Sequence, residues 1–110
     1  MREVTAGAST FDQWYANMAC SPRRDLIVRQ SLGLPDDLDS SSLLPGAGLA
    51  EVTAALGLSA GQLLVDAACG RGGYGLEVAR QTGARLAGVD FSPTAVACAR
   101  ANSRRLGLAK

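Results

Sequence analysis

The sequence has no histidine, three cysteines, and only one tryptophan, two tyrosines and two phenylalanines among 110 residues. Without histidine there is no proton shuttle poised near neutral pH, no Ser-His or Cys-His nucleophile pair, and none of the commonest metal ligand. No metal site is expected. Cys20, Cys69 and Cys98 are odd in number and widely spaced, so they suggest neither a disulfide framework nor a zinc site and read as reduced thiols. No apolar run approaches the roughly 18 residues of a membrane span, and the N-terminus lacks the basic-then-apolar layout of a secretory signal. A cytoplasmic protein with no membrane partner is expected. Charge is scarce too: 11 basic against 10 acidic residues leave a net +1, which gives no electrostatic case for nucleic acid as a partner.

What is present suffices for a core. At 47% hydrophobic and 19% charged the chain is unlike a disordered tail, and its length fits one domain or part of one. The charges are unevenly placed. Residues 1–60 hold seven acids and four bases, and residues 61–110 hold three acids and seven bases.

Small polar residues 1–9 read as a frayed start. Thr10 or Asp12 could cap a helix to about Met18 or Cys20, with Phe11, Trp14, Tyr15 and Met18 spaced three or four apart on one core-facing stripe. Ser21-Pro22 is a second start signal, and the helix after it should end at Gly33. Residues 33–48, with two prolines, three acids and three consecutive serines, read as a long connection, either lid or linker. A third helix over 49–56 stops at Gly57. The texture then changes. Residues 63–65 form a short apolar strand of the kind buried on both faces of a parallel sheet, followed by a glycine-rich loop over 66–75, a helix over 73–81, a second strand over 85–89, and an Ala-rich helix over 94–106 capped by Ser92-Pro93. Strand, loop, helix, strand, helix is a βαβ unit with one more helix, the beginning of a doubly wound α/β sheet.

The loop Asp66-Ala67-Ala68-Cys69-Gly70-Arg71-Gly72-Gly73-Tyr74-Gly75 carries the chemistry. Four glycines within six positions exceed what a tight turn needs, and the helix start behind them offers unpaired N–H donors. Gly70-x-Gly72-x-x-Gly75 matches the dinucleotide fingerprint, with Asp90 twenty residues on. In that fingerprint the first glycine follows the strand at once, whereas here Asp66 ends the strand and three residues intervene. A carboxylate at that rim would repel phosphate and would favour an ammonium or sulfonium ligand.

These residues also resemble a known family. Asp66-Ala67-Ala68-Cys69-Gly70-Arg71-Gly72 resembles the first motif of class I S-adenosylmethionine-dependent methyltransferases, and Val89-Asp90-Phe91-Ser92-Pro93 resembles the second. The likeness covers about residues 59–108, and residues 11–44 are similar to the helical N-terminal extension of bacterial small-molecule methyltransferases. It implies an incomplete Rossmann-like α/β fold, its first two parallel strands flanked by helices, with 1–48 as a helical extension and 49–110 as the first part of the cofactor-binding domain. It implies S-adenosyl-L-methionine as cofactor, held by Asp66, Ala67, Ala68, Cys69, Gly70, Gly72, Asp90, Phe91 and Ser92. Asp66 would meet the amino group, Asp90 the ribose diol, and Phe91 the adenine. Ala68 stands where the family often has glycine, so its backbone is expected in a region open to alanine. Cys69 reads as a small filler rather than a nucleophile, Arg71 as solvated, and Trp14 and Tyr15 as lid residues.

The implied activity is methyl transfer to a small-molecule acceptor, a displacement that needs positioning and water exclusion more than covalent help. No catalytic base is identifiable. The family's acceptor site is built from later strands, so the resemblance implies the N-terminal part of a longer enzyme, inactive as an isolated 110-residue chain. A nucleotide-binding fragment of an NAD(P)-dependent oxidoreductase and a non-catalytic assembly half-domain, including a homodimer, are the competing readings.

Overall fold

The computed structural model describes residues 2–19 and 21–108; Cys20 lies outside them. Helices α1 (Arg2–Ala19), α2 (Pro22–Leu32) and α3 (Gly46–Leu56) precede β1 (Leu63–Ala67), α4 (Gly73–Thr82), β2 (Arg85–Val89) and α5 (Pro93–Arg105). The two strands pair in parallel, Leu63 opposite Arg85 through Ala67 opposite Val89, with α4 as the crossover. Parallel pairing needs such a crossover, because a tight turn can join only antiparallel neighbours. The α/β class and the partial Rossmann-like arrangement are as the sequence implies.

Local signals set most boundaries. Gly33, Gly57 and Gly83 end α2, α3 and α4 in the left-handed conformation. Ser92 caps α5 by accepting a hydrogen bond from the Ala95 N–H at 3.1 Å, with Pro93 following. Ser21 differs: Pro22 opens α2, yet the serine side chain makes no capping bond.

Three expectations fail. Residues 2–9 continue α1 rather than fray, because lengthening a helix docked further along needs no new nucleus. Helix α3 starts at Gly46 instead of 49, its first turn closed by the Leu49 N–H to the Pro45 carbonyl at 2.9 Å. The strands are not buried on both faces. Leu63, Val65 and Val89 are 51%, 61% and 55% exposed, since α4 packs on the sheet from one side and nothing among the described residues covers the alternate side chains.

Two small cores hold the layers together. Leu34, Leu38, Leu49 and Val78 are buried with Leu32, Leu44, Leu58, Leu64 and Tyr74 around them, joining the 33–45 connection and α3 to α4 and β1. Tyr15, Met18 and Ala95 join α1 to α5. The α1 stripe therefore divides: Tyr15 and Met18 are buried, while Phe11 and Trp14 remain partly exposed.

Candidate functional site

Beside the C-terminal end of β1 lies a cavity of about 290 Å³ lined by Tyr15, Ser41, Ser42, Asp66, Ala68, Cys69, Gly70, Gly73 and Tyr74. Its volume is at the lower edge of small-molecule sites, which run from about 300 Å³ upward. The loop after β1 supplies one wall. Helix α1 and the 33–45 connection supply the other.

Asp66 is half-buried within β1, and burial followed by the nearby Asp90 carboxylate raises its pKa above the ordinary value. It makes no ion pair among the described residues. A desolvated carboxylate beside a like charge is destabilised in its ionised form, and an incoming cation would relieve that. The same burial, reinforced by Asp66 and Asp90, pushes the Cys69 thiol up. A thiol held protonated is a poor nucleophile, in keeping with a filler role.

Asp90 closes the loop from the other strand. Its Oδ2 accepts from the Gly70 N–H and its Oδ1 from the Ser92 N–H, both at 2.9 Å, while the Cys69 N–H donates to the Val89 carbonyl at 2.9 Å. Each carboxylate oxygen keeps a second lone pair for a ligand. Phe91 is half exposed and lies 5.6 Å from the Phe11 ring, which stands edge-on to Trp14 at 6.0 Å.

Ala67 ends β1 and is exposed, whereas Ser92 is fully buried. The Ser92 hydroxyl donates to Asp12 Oδ1 at 2.7 Å, and the Thr94 N–H donates to the same oxygen at 2.9 Å. These bonds hold the Asp12 carboxyl below its usual range. Asp12 thus serves the start of α5, not the start of its own helix. Of the nine residues implied by resemblance, Asp66, Ala68, Cys69 and Gly70 line the cavity. Asp90 does not line it but holds the Gly70 N–H of its wall, and Ala67, Gly72, Phe91 and Ser92 are not among its lining residues.

Two corrections concern the loop itself. Ala68 adopts φ +57°, the left-handed region that favours glycine, rather than one open to alanine. The loop path needs that turn whichever residue occupies it. Arg71 is 3% exposed, not solvated. Its guanidinium grips Asp25 with two bonds of 2.8 and 3.0 Å; burial alone would push its pKa down, and the Asp25 carboxylate outweighs that.

The glycines also have a different occupant from the one expected. A Cβ on Gly70 would stand 2.9 Å from the Tyr15 hydroxyl and 3.1 Å from Ser41 Oγ, and one on Gly73 would collide with the Asp39 carbonyl. The bare faces of both are filled by the protein's own N-terminal segment. Sequence reasoning missed Ser41, Ser42, Gly73 and Tyr74 as lining residues; the serine run and the loop glycine were visible, but their meeting across some thirty residues was not.

Comparison with known proteins bears on this arrangement. A family profile described as a methyltransferase domain matches residues 64–110. A SAM-dependent methyltransferase from Thiobacillus denitrificans, solved with S-adenosyl-L-homocysteine, is 33% identical with a TM-score of 0.53, over 58% of this chain and 26% of that one. One from Geobacter sulfurreducens, solved with the same molecule, is 30% identical with a TM-score of 0.52, over 57% of this chain and 25% of that one. YjhP from E. coli is 25% identical with a TM-score of 0.54, over 59% and 26%. This chain therefore spans about a quarter of the length of these proteins. No curated protein matches it. The profile match falls on β1, the loop after it, α4, β2 and α5, so the likeness to a methyltransferase domain lies in the elements that form the sheet side of the cavity.

Proposed function

We propose that the chain binds S-adenosyl-L-methionine and forms the cofactor-holding part of a methyltransferase acting on a small molecule. The observation that carries this reading is Asp66: a half-buried carboxylate, destabilised by burial and by Asp90, facing a cavity with no cationic partner among the described residues. Such a group is suited to an ammonium. The two solved methyltransferases complexed with S-adenosyl-L-homocysteine support the choice of cofactor.

In this reading Asp66 accepts from the cofactor's amino group, and Ala68, Cys69, Gly70 and Gly72 set the backbone around its amino-acid end. Asp90 offers its spare lone pairs to the ribose diol. Phe91, with Ala67 and Ser92 fixing the chain on either side, presents a flat apolar face to the adenine. When bound, the cofactor would supply a methyl group on a sulfonium, which an acceptor would take by in-line attack as the C–S bond breaks and a neutral thioether leaves. The chain's own part is to orient and to exclude water: Tyr15, Ser41 and Ser42 line the cavity from the N-terminal segment. Residues 1–48 act as that cover and 49–110 as the cofactor platform. No residue is assigned as a base. No helix among the described residues is long and apolar enough to cross a membrane, and a cytoplasmic location suits the reduced thiols.

The dinucleotide alternative is disfavoured by the same carboxylate, which would face a pyrophosphate across low-dielectric space. Calorimetric titration with S-adenosyl-L-homocysteine and with NAD tests the choice. Binding of the first and not the second is expected, and Asp90→Ala should cost about 1–3 kcal/mol of that affinity. Binding of NAD alone would reverse the assignment.

A further inference from the structure

Arg71 sits between Gly70 and Gly72 on the cofactor loop, yet its side chain turns away from the cavity into the N-terminal segment. Its two terminal nitrogens bind both oxygens of Asp25 on α2, one of them also donates to the Ser40 carbonyl, and Nε reaches Ser41 Oγ at 3.5 Å. Its own carbonyl accepts from Asn102 Nδ2 on α5 at 3.1 Å. One residue thus ties α2, the 33–45 connection and α5 to the loop. The connection is strapped further by Arg29 to Asp39 at 3.2 Å, by Arg105 to the Asp37 carbonyl at 2.9 Å, and by the Tyr74 hydroxyl to the Leu44 carbonyl at 2.9 Å. Arg71 starts between the loop glycines and reaches Ser41, which lines the cavity, while the Tyr74 hydroxyl also meets the serine run, accepting from Ser40 Oγ at 2.8 Å and donating toward the Ser42 carbonyl at 3.2 Å.

A buried ion pair is weak evidence of added stability, since well-packed apolar replacements often hold a fold as well. What a planar guanidinium with five fixed donors does supply is geometry, here two carboxylate oxygens and a carbonyl held in one plane of approach. The geometry fixed is the distance between the loop and residues 40–42, which is the width of the cavity between Asp66 and Ala68 on one side and Ser41 and Ser42 on the other.

Resting on the cofactor reading above, we infer that Arg71 is a positioning residue for the amino-acid end of the cofactor, acting through Asp25 and the main chain of residues 40–42. The adenosine end lies outside its reach. That end is met by Asp90 and Phe91, and α1 is pinned there by Asp12 on Ser92 and Thr94. Removing the guanidinium should therefore weaken a ligand that has the amino-acid group and spare one that lacks it.

The test is calorimetry of the protein and of its Arg71→Met and Asp25→Asn variants with S-adenosyl-L-homocysteine and with 5′-methylthioadenosine, with ligand-free melting recorded for each. Asp25→Asn keeps the shape and one acceptor, so it decides the matter if Arg71→Met does not fold. Expected is a loss of about tenfold or more for S-adenosyl-L-homocysteine, with 5′-methylthioadenosine within about twofold of the wild type. Equal losses for the two ligands would reduce Arg71 to general support of the fold, and an unchanged S-adenosyl-L-homocysteine affinity would remove the role altogether. A wild-type protein that binds 5′-methylthioadenosine but gains nothing from the amino-acid group overturns this assignment while leaving the nucleoside site standing. One that binds neither overturns the cofactor reading and this assignment with it.

Discussion

Asp66→Asn should make the ligand-free protein more stable and the liganded protein worse. Burial and the Asp90 charge raise the Asp66 pKa, so the folded state holds the proton more tightly than the unfolded chain, whose aspartates titrate near about 3.9. The sign follows from linkage: as pH rises from that unfolded value through the raised folded value, the native state pays to ionise and stability falls. An asparagine of nearly the same shape pays nothing. The variant's melting temperature should match the wild type below the unfolded pKa, pull ahead across that window, and keep a constant lead above it. For a domain of this size each 1 kcal/mol of lead would appear as roughly 4–8 °C. Ligand affinity moves oppositely. The carboxylate would make a charge-assisted bond to the cofactor's ammonium, about 1.5–3 kcal/mol, so S-adenosyl-L-homocysteine should bind on the order of ten- to a hundredfold more weakly. Differential scanning fluorimetry across pH, with calorimetry at pH 7, reads both. A variant that melts at or below the wild type at pH 7 while binding the ligand unchanged would refute the electrostatic reasoning.

Ala68→Gly should stabilise by up to about 1 kcal/mol, relief of the left-handed φ being partly offset by the freer unfolded chain; chemical denaturation measures it, and a clear loss would mean that the methyl group packs usefully. Gly73→Ala should destabilise by about 1–3 kcal/mol or more, because the new methyl meets the Asp39 main chain rather than a side chain that could swing away. Leu38→Ala, at a position 3% exposed in the larger core, should cost about 2–5 kcal/mol in the same assay. The Glu77 carboxyl is held below its usual pKa by Arg80, with Gln81 adding a bond. Its contribution is thus present above the unfolded pKa and is lost as pH falls through the lower folded value. Glu77→Gln should cost stability at pH 7 and nothing at the acid end of a pH series.

The βαβ unit was legible because its signals are local. Ser92-Pro93, Gly83 and the short apolar runs at 63–65 and 86–89 each state their role within a few positions, although β1 runs two residues further than its apolar run, through Asp66 to Ala67. Asp66 and Asp90 stood out for a similar reason, as acids where a strand gives way to a loop, and the structure puts Asp66 on the cavity wall and Asp90 on the Gly70 N–H. What the sequence concealed is pairing at long range. Arg71 finds Asp25 across 46 positions and Ser92 finds Asp12 across 80, and neither periodicity nor capping rules reach that far. The exposed sheet face was misjudged from the opposite direction. An apolar strand signals burial in general, but only neighbouring elements decide which face is covered.

The loop after β1 carries two loads at once, and that explains its composition better than ligand access alone. Ala68, beside Asp66 of β1, faces the cavity; Gly70 and Gly73 line it as well and at the same time receive Tyr15, Ser41 and residues 38–39, and Arg71 takes Asp25. Side chains on Gly70 and Gly73 would push the N-terminal segment outward and open the very wall that makes the cavity. A solvated residue in place of Arg71 would leave Asp25, whose side chain is only 11% exposed, with the half-exposed Arg24 at 3.8 Å as its remaining ion-pair partner, a poorly compensated buried charge. Glycine at two positions and arginine between them are thus one device, bringing a separate stretch of chain within hydrogen-bonding distance of the loop and locking it there. It follows that lesions in the N-terminal segment and lesions in the loop should produce the same ligand-binding defect, although the two are far apart in sequence.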